Sequence, residues 1–331
     1  MAVDVQHQAE PTLDELRTAV AAAVRAPSVH NTQPWRFEVG RGHIDVLGDL
    51  SRRLPVLDPS GRNLVLSCGG AAACAQYALA AAGWATALDP APEDEPDRLA
   101  RIRVVERRPA SPDDVAMAQA VDRRHSVRGI LSRRGLHDHH LERLLGEVAP
   151  TGVTVTVLDE PSLRDDVRVL QARADAVLEA DPAYREELAR WVRRQPDTQD
   201  GIPAITNDAL LHRAPRDWAQ RSFPAGTAGP VAGPGAADDP MVLVLSAPDT
   251  RDGWLRSGAA LARVLVRATQ LGLAGVPMTQ VAEVPHERDR LTRLLGLTGQ
   301  PQALVRIGQE LRPQITRPTP RRPPAATWGQ P

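Results

Sequence analysis

The sequence predicts an α+β protein made of two diverged copies of one unit, with antiparallel and mixed sheets packed on helices. Segments of helical spacing alternate with short extended ones, including a hairpin signal at Gly40–His43. A helix, an Ala-Pro pair and a strand follow one another twice, the pairs at Ala26-Pro27 and Ala149-Pro150 lying 123 residues apart. An alanine-rich helix bracketed by glycines fourteen residues apart also occurs twice, as Gly69–Gly83 and Gly258–Gly272.

Residues 12–26 place Leu13, Leu16, Val20, Ala23 and Val24 on one helical face. Thr12 caps the start, and Glu15 completes a capping box. Pro27 ends this helix, since proline cannot continue one and pushes its predecessor out of the α region. Ser28, His30, Asn31, Thr32 and Gln33 then put five polar side chains into a tight loop. Trp35 and Phe37 read as inward positions of a strand, with Arg36 and Glu38 pointing the other way. Ile44–Leu47 is its hairpin return, and 52–61 is a loop rich in turn formers. Residues 69–82 form a helix of small residues ending at Gly83. Small side chains all round admit close neighbours, which predicts a central buried helix. Residues 101–107 alternate as a strand, and Pro109–Asp114 closes a first half spanning 12–110.

The second half, 120–323, opens on Arg123-Arg124-His125-Ser126-Val127-Arg128. An amphipathic helix over 136–148 runs to Ala149-Pro150, and Val153–Leu158 alternates as a strand. Residues 163–191 form a long charged helical segment. Gln195–Pro203 and Ser222–Pro240 are rich in Gly, Pro and Ala and read as mobile or extended. The insertion, about 163–240, is too long for an ordinary connection; it is either a surface excursion or a lid. Met241–Ser246 is a continuous apolar run, hence a buried strand. A core helix over 252–271, the segment Gly272–Gln280 and a strand at Leu304–Gly308 follow. Residues 324–331 read as a disordered tail.

With 331 residues, 42% of them hydrophobic, the chain can bury a large core. A net charge of −1 leaves no basic field to attract nucleic acid or an anionic membrane. All 40 basic residues are arginine, which reads as codon bias rather than function. Cys68 and Cys74 lie roughly 9 Å apart along a predicted helix axis and do not face each other, so no disulfide is expected. The count fits a reducing compartment. The N-terminus lacks the basic and apolar segments of a signal peptide. The longest apolar run, around Ala71–Ala82, falls short of the roughly 20 residues that span a bilayer. A cytoplasmic protein without nucleic-acid or membrane partners is expected.

Ala26-Pro27-Ser28 followed by Asn31-x-Gln33-Pro34-Trp35-x-Phe37 resembles the flavin-contacting loop of the nitroreductase family. The form Ser-Val-His-Asn-Thr-Gln-Pro-Trp is most similar to the family's Acg-type branch. Without that likeness, the loop reads equally well as a capped helix-to-strand turn. Arg124-His125-Ser126-x-Arg128 is similar to the family's arginine–x–serine–x–basic motif; alone, it reads as a solvated basic patch. The resemblance covers about 12–110 and 120–323 and implies a nitroreductase-like fold holding FMN. By it, Ser28, Asn31 and Gln33 contact the flavin. Arg124 and Ser126 hold the phosphate and ribityl end, and Arg128 lies nearer the pyrimidine ring, where a cation favours negative charge. Pro277-Met278-Thr279-Gln280 matches the segment that runs over the ring. The commoner form there is Pro-Ile-Glu-Gly, so Thr279 and Gln280 depart from the pattern. Arg321 and Arg322 resemble C-terminal basic residues that close on the phosphate; the alternative is a floppy basic tail. The implied lid is the insertion at 163–240.

Nitroreductases are normally homodimers whose two flavin sites each use both subunits. Here the Arg124–Arg128 motif occurs only in the second half and the Ser28–Trp35 loop only in the first. Two fused half-units mimicking the dimer are therefore expected to keep one FMN per chain. A monomer suffices for that site, and a homodimer is compatible with it. The implied activity is hydride transfer from NADH or NADPH to flavin N5, then to a quinone or nitroaromatic acceptor. No catalytic side chain is required, since the flavin carries the chemistry. The alternative is a storage protein that binds FMN behind its lid and turns over little. Other motifs carry less. His137 and His140 read as a solvated helix start rather than a metal site. Gly229–Gly235 lacks the strand and lysine of a phosphate loop. Ser28 has no triad around it.

Overall fold

The computed structural model describes residues 10–92, 94–95, 97–126, 131–193, 198–203, 218, 239–311 and 319–329. Helix α1 (Leu13–Ala23) begins at the predicted capping box: Thr12 Oγ1 accepts from the Glu15 N–H at 3.2 Å, and the Glu15 carboxylate accepts from the Thr12 N–H at 2.7 Å. Strands β1 (Trp35–Gly40) and β2 (His43–Gly48) form the hairpin, with Trp35 and Phe37 buried and Arg36 and Glu38 exposed. Helix α2 (Arg62–Ala81) starts a full two turns before the predicted 69. Asp58 is the reason, because its carboxylate accepts from the N–H groups of Asn63 at 3.0 Å and Leu64 at 2.9 Å. Strand β3 (Trp84–Pro90), which the sequence reading lacks, pairs antiparallel with β4 (Arg98–Arg107). Helix α3 (Pro112–Arg123), which the sequence reading lacks, begins inside the segment Pro109–Asp114 that closes the first half. Ser111-Pro-Asp-Asp is a helix start, with Ser111 and Asp114 capping each other and Pro112 in the first turn.

Strand β5 (Leu131–Ser132), helix α4 (Asp138–Val148) and strand β6 (Thr154–Val157) follow. The predicted single helix over 163–191 is two, α5 (Pro161–Ala180) and α6 (Pro182–Trp191), because Pro182 breaks the run at Asp181. Strands β7 (Val192–Arg193) and β8 (Ile202–Pro203) pair parallel. Most of the rest of the predicted lid, 204–217 and 219–238, lies outside the described residues. Then come the fully buried β9 (Met241–Ala247), α7 (Arg251–Gln270), β10 (Ala274–Met278), α8 (Gln280–Glu283), α9 (Pro285–Leu295), β11 (Gln300–Glu310) and β12 (Trp328–Gly329). The tail is not disordered as expected over 324–329. A 3-10 turn at Pro324–Ala326 leads into β12, which pairs parallel with β1 at Phe37 and Trp328. The ladder partner and burial on β1 outweigh the tail's low-complexity composition.

One sheet has the order β12-β1-β2-β4-β3 and the other β10-β11-β9-β6, with β5 on the end of β11. Helices α2 and α7 pack against each other between the two sheets' cores, and their contact is reciprocal. A Cβ at Gly69 would lie 2.0 Å from Leu255 O, and one at Gly258 would lie 1.9 Å from Leu66 O. Each glycine thus meets the carbonyl three residues before the other. Glycine is required here because the backbones touch. By length and apolarity α2 is the one described helix able to cross a bilayer, and it is mostly buried in this seam.

Candidate functional site

A cavity opens where the end of α1, the α2–α7 seam, β10 and the C-terminal segment meet. Its lining includes Pro27–Asn31, Asn63, Ser67, Gly70, Arg124, Ser126, Gly258, Pro277–Gln280 and Arg321. The polar loop forms its first wall. His30 (φ 48°), Asn31 (φ 53°) and Gln33 (φ 51°) all sit in the left-handed region, which non-glycine residues rarely adopt. Such strain persists only where surroundings fix it, and here they do. Ser28 Oγ accepts from the Gln33 N–H at 3.0 Å. Asn31 Nδ2 donates to Gly201 O at 3.0 Å and Pro320 O at 3.1 Å, and Gly201 N donates back to Asn31 O at 3.1 Å. Gln33 Nε2 donates to Gln199 O at 2.8 Å. Arg52 pairs with Asp200, whose other oxygen takes Arg193 Nε at 3.1 Å, and both guanidiniums lie over Trp191. Residues 199–201 are thereby strapped across the loop. Asn31 Oδ1 is buried without a partner.

The second wall is cationic. Arg124 turns off the end of α3, and its Nη2 reaches Arg25 O at 3.3 Å. Arg321 donates to Thr319 O and Pro320 O at 3.1 Å each and to Ala26 O at 3.2 Å. Arg124 Nε and Nη1 and Arg321 Nε are buried with no acceptor. Neither guanidinium has a carboxylate partner among the described residues. Burial lowers the pKa of Arg124, and burial followed by the charge of Arg124 pushes Arg321 down to about 9. Buried like charges with spare donors are costly unless an anion joins them.

The third wall is β10 and the short helix α8 beyond it. Ser126 bridges in parallel to Gly275, so β10 leads from the Ser126 level toward Thr279 and Gln280. Thr279 Oγ1 donates to Glu283 Oε1 at 2.7 Å, and Asn63 Nδ2 donates to the same oxygen at 3.1 Å.

Of the residues singled out in the sequence, Ser28, Asn31, Arg124, Ser126, Pro277, Met278, Thr279, Gln280 and Arg321 share this cavity. Gln33 and Arg322 do not line it. Gln33 Oε1 accepts from the Arg322 N–H at 2.8 Å, and the Arg322 guanidinium reaches Ala326 O at 2.8 Å and lies 3.8 Å from Asp49. Both fasten the C-terminal segment to the loop. Arg128 lies outside the described residues. The sequence reading missed Asn63 and Ser67. They are two polar residues four apart near the start of a mostly apolar helix, a spacing that puts both on one face.

The Nitroreductase family model matches residues 121–309. Over 319 residues the chain is 34% identical to "Putative NAD(P)H nitroreductase Rv3131" of Mycobacterium tuberculosis, covering 94% of this chain and 90% of that protein. This chain belongs to the nitroreductase family. "Putative NAD(P)H nitroreductase acg" of the same organism is 33% identical over 329 residues, 94% of each chain. The resemblance to the family's Acg-type branch is thus borne out. A nitroreductase crystal structure from Anabaena variabilis superposes at a TM-score of 0.53 with 9% identity, covering 89% of this chain and 88% of the other. That match bears on the fold alone.

Proposed function

We propose that this nitroreductase is an FMN-dependent NAD(P)H oxidoreductase that reduces a quinone or nitroaromatic. The observation that carries the reading is the pair of buried guanidiniums, Arg124 and Arg321, with three donor atoms lacking acceptors at one end of the cavity. A phosphate group supplies what they lack: concentrated negative charge and several acceptor oxygens. Ser126 would join them there. Asn31 Oδ1, with its amide nitrogen already committed, is left to accept from a ring N–H. Gly70 and Gly258 line the cavity where it meets the helix seam, so no side chain of theirs intrudes on a planar group there. Bound FMN would supply the centre that accepts hydride and passes electrons on. The chain's own part is to hold the phosphate, orient the ring and exclude water with the 199–201 strap. The names of the relatives support a nicotinamide donor.

One FMN per chain follows from two fused half-units. The reciprocal seam supports that duplication: α2 and α7 have twenty residues each, and Gly83 and Gly272 follow both at positive φ. The strapped loop also favours a second reading, storage of FMN with little turnover, since four hydrogen bonds or ion pairs must part before the strap lifts. Anaerobic mixing with NADH and with NADPH separates the two. Rapid loss of the flavin's visible absorbance is expected of the oxidoreductase, and its persistence would leave storage. Flavin absorbance against protein concentration, with light scattering, gives the stoichiometry; two flavins per chain would sink the fused-unit reading.

A further inference from the structure

Behind the cavity wall at the end far from the arginines lies a carboxylate that phosphate binding does not explain. Glu283 Oε1 accepts from Thr279 Oγ1 at 2.7 Å and from Asn63 Nδ2 at 3.1 Å, and both donors belong to cavity-lining residues. Asn63 is gripped at its other end too, since Arg62 Nη2 donates to Asn63 Oδ1 at 2.9 Å. Arg62 Nη1 is held in turn by Gln302 O at 2.7 Å. The amide of Asn63 therefore cannot flip, and the Glu283 charge stands one hydrogen bond behind the cavity wall. Arg62 is a nearby cation, shared with Asp58, whose carboxylate caps α2.

We propose that Glu283 tunes the bound flavin, holding its reduction potential low by fixing negative charge behind Thr279. The proposal rests on the FMN reading above. Two-electron reduction with uptake of one proton makes the bound flavin more negative by one charge. A fixed carboxylate near the ring opposes that change, and its two hydrogen bonds to Thr279 and Asn63 keep it against the wall. The cavity's arginines favour the change but act from the other end. Thr279 lies four positions beyond Gly275, itself level with Ser126, along β10 and its continuation, roughly 13 Å at 3.3 Å per residue. The phosphate takes up much of their charge as well.

Glu283→Gln is the direct variant, because both hydrogen bonds end on Oε1 and a glutamine carbonyl can accept them. The flavin-loaded wild type and variant are titrated anaerobically against dyes of known potential. At a fixed potential the reduced-to-oxidised ratio should rise at least tenfold in Glu283→Gln, a shift of about 30 mV for a two-electron couple. Affinity for oxidised FMN should change less than twofold. Thr279→Val, which removes one of the carboxylate's two hydrogen bonds to the wall and leaves that from Asn63, should shift the potential the same way by less. An unchanged or lowered potential in flavin-loaded Glu283→Gln overturns the proposal and leaves the FMN reading standing. If that variant retains no flavin, Thr279→Val decides by the same criterion. A wild-type chain that binds no FMN overturns both readings.

Discussion

Replacing Arg124 by methionine tests the phosphate assignment with two opposite signs. In the flavin-free chain Arg124 is 7% exposed, its Nη2 meets Arg25 O at a long 3.3 Å, and its Nε and Nη1 have no acceptor. Burying polar groups unpaired costs about 1–3 kcal/mol. Methionine has similar reach and no polar donors, so Arg124→Met removes that cost and forfeits one weak bond. The flavin-free protein should become more stable by about 1–2 kcal/mol. FMN binding should move the other way. A charge-assisted hydrogen bond contributes about 1.5–3 kcal/mol, so affinity should fall roughly ten- to 150-fold. Urea unfolding of the flavin-free proteins and quenching of FMN fluorescence on titration read the two effects separately. A variant that is less stable and binds FMN as well as wild type would make Arg124 a structural residue and refute the reasoning.

Asp200→Asn should loosen the strap and speed FMN release severalfold, read by stopped-flow fluorescence with an excess of a flavin-binding competitor protein. Burial pulls the Asp200 carboxyl up, but Arg52 and Arg193 outweigh it and hold the group below its ordinary range. A carboxyl depressed in this way contributes fully above its unfolded pKa, about 3.9, and loses that contribution as pH falls through its lower folded value. Wild-type release through Asp200 should therefore be flat between about pH 5 and 8 and accelerate only in stronger acid; acceleration already near pH 6 would contradict the pairing. Gly258→Ala places a methyl 1.9 Å from Leu66 O and should cost on the order of 3 kcal/mol or more, whereas Gly146→Ala on α4, with nothing within 4 Å, should stabilise by about 0.5–1 kcal/mol. Similar thermal shifts for these two variants would refute the close seam.

Several parts of this protein are local properties and are legible in the chain. Leu16, Val20 and Ala23 repeat at helical spacing, Trp35 and Phe37 alternate with Arg36 and Glu38, and each segment forms the element its period dictates. The small residues of 69–82 announce a helix pressed against another backbone, and the seam at Gly69 and Gly258 is that contact. The polar words around Ser28 and Arg124 point to one site because their residue types suit a phosphate and a polar ring. Capping signals were legible too, at Asp58 and at Ser111-Pro-Asp-Asp, and reading them would have placed the starts of α2 and α3.

Other parts exist only once the chain has closed. Gln33 and Arg322 look like ligand residues in sequence, yet the fold brings these two residues, 289 positions apart, together as a clasp that does not line the cavity. Glu283 and Asn63 are 220 residues apart, and no period links them. The tail at Trp328 is a strand because β1 offers it a ladder edge. Hydrophobic periodicity and caps act over a few residues, so sequence encodes them directly. Whether a buried arginine finds a carboxylate or is left with spare donors depends on which distant segments share its desolvated pocket, and that is decided by packing.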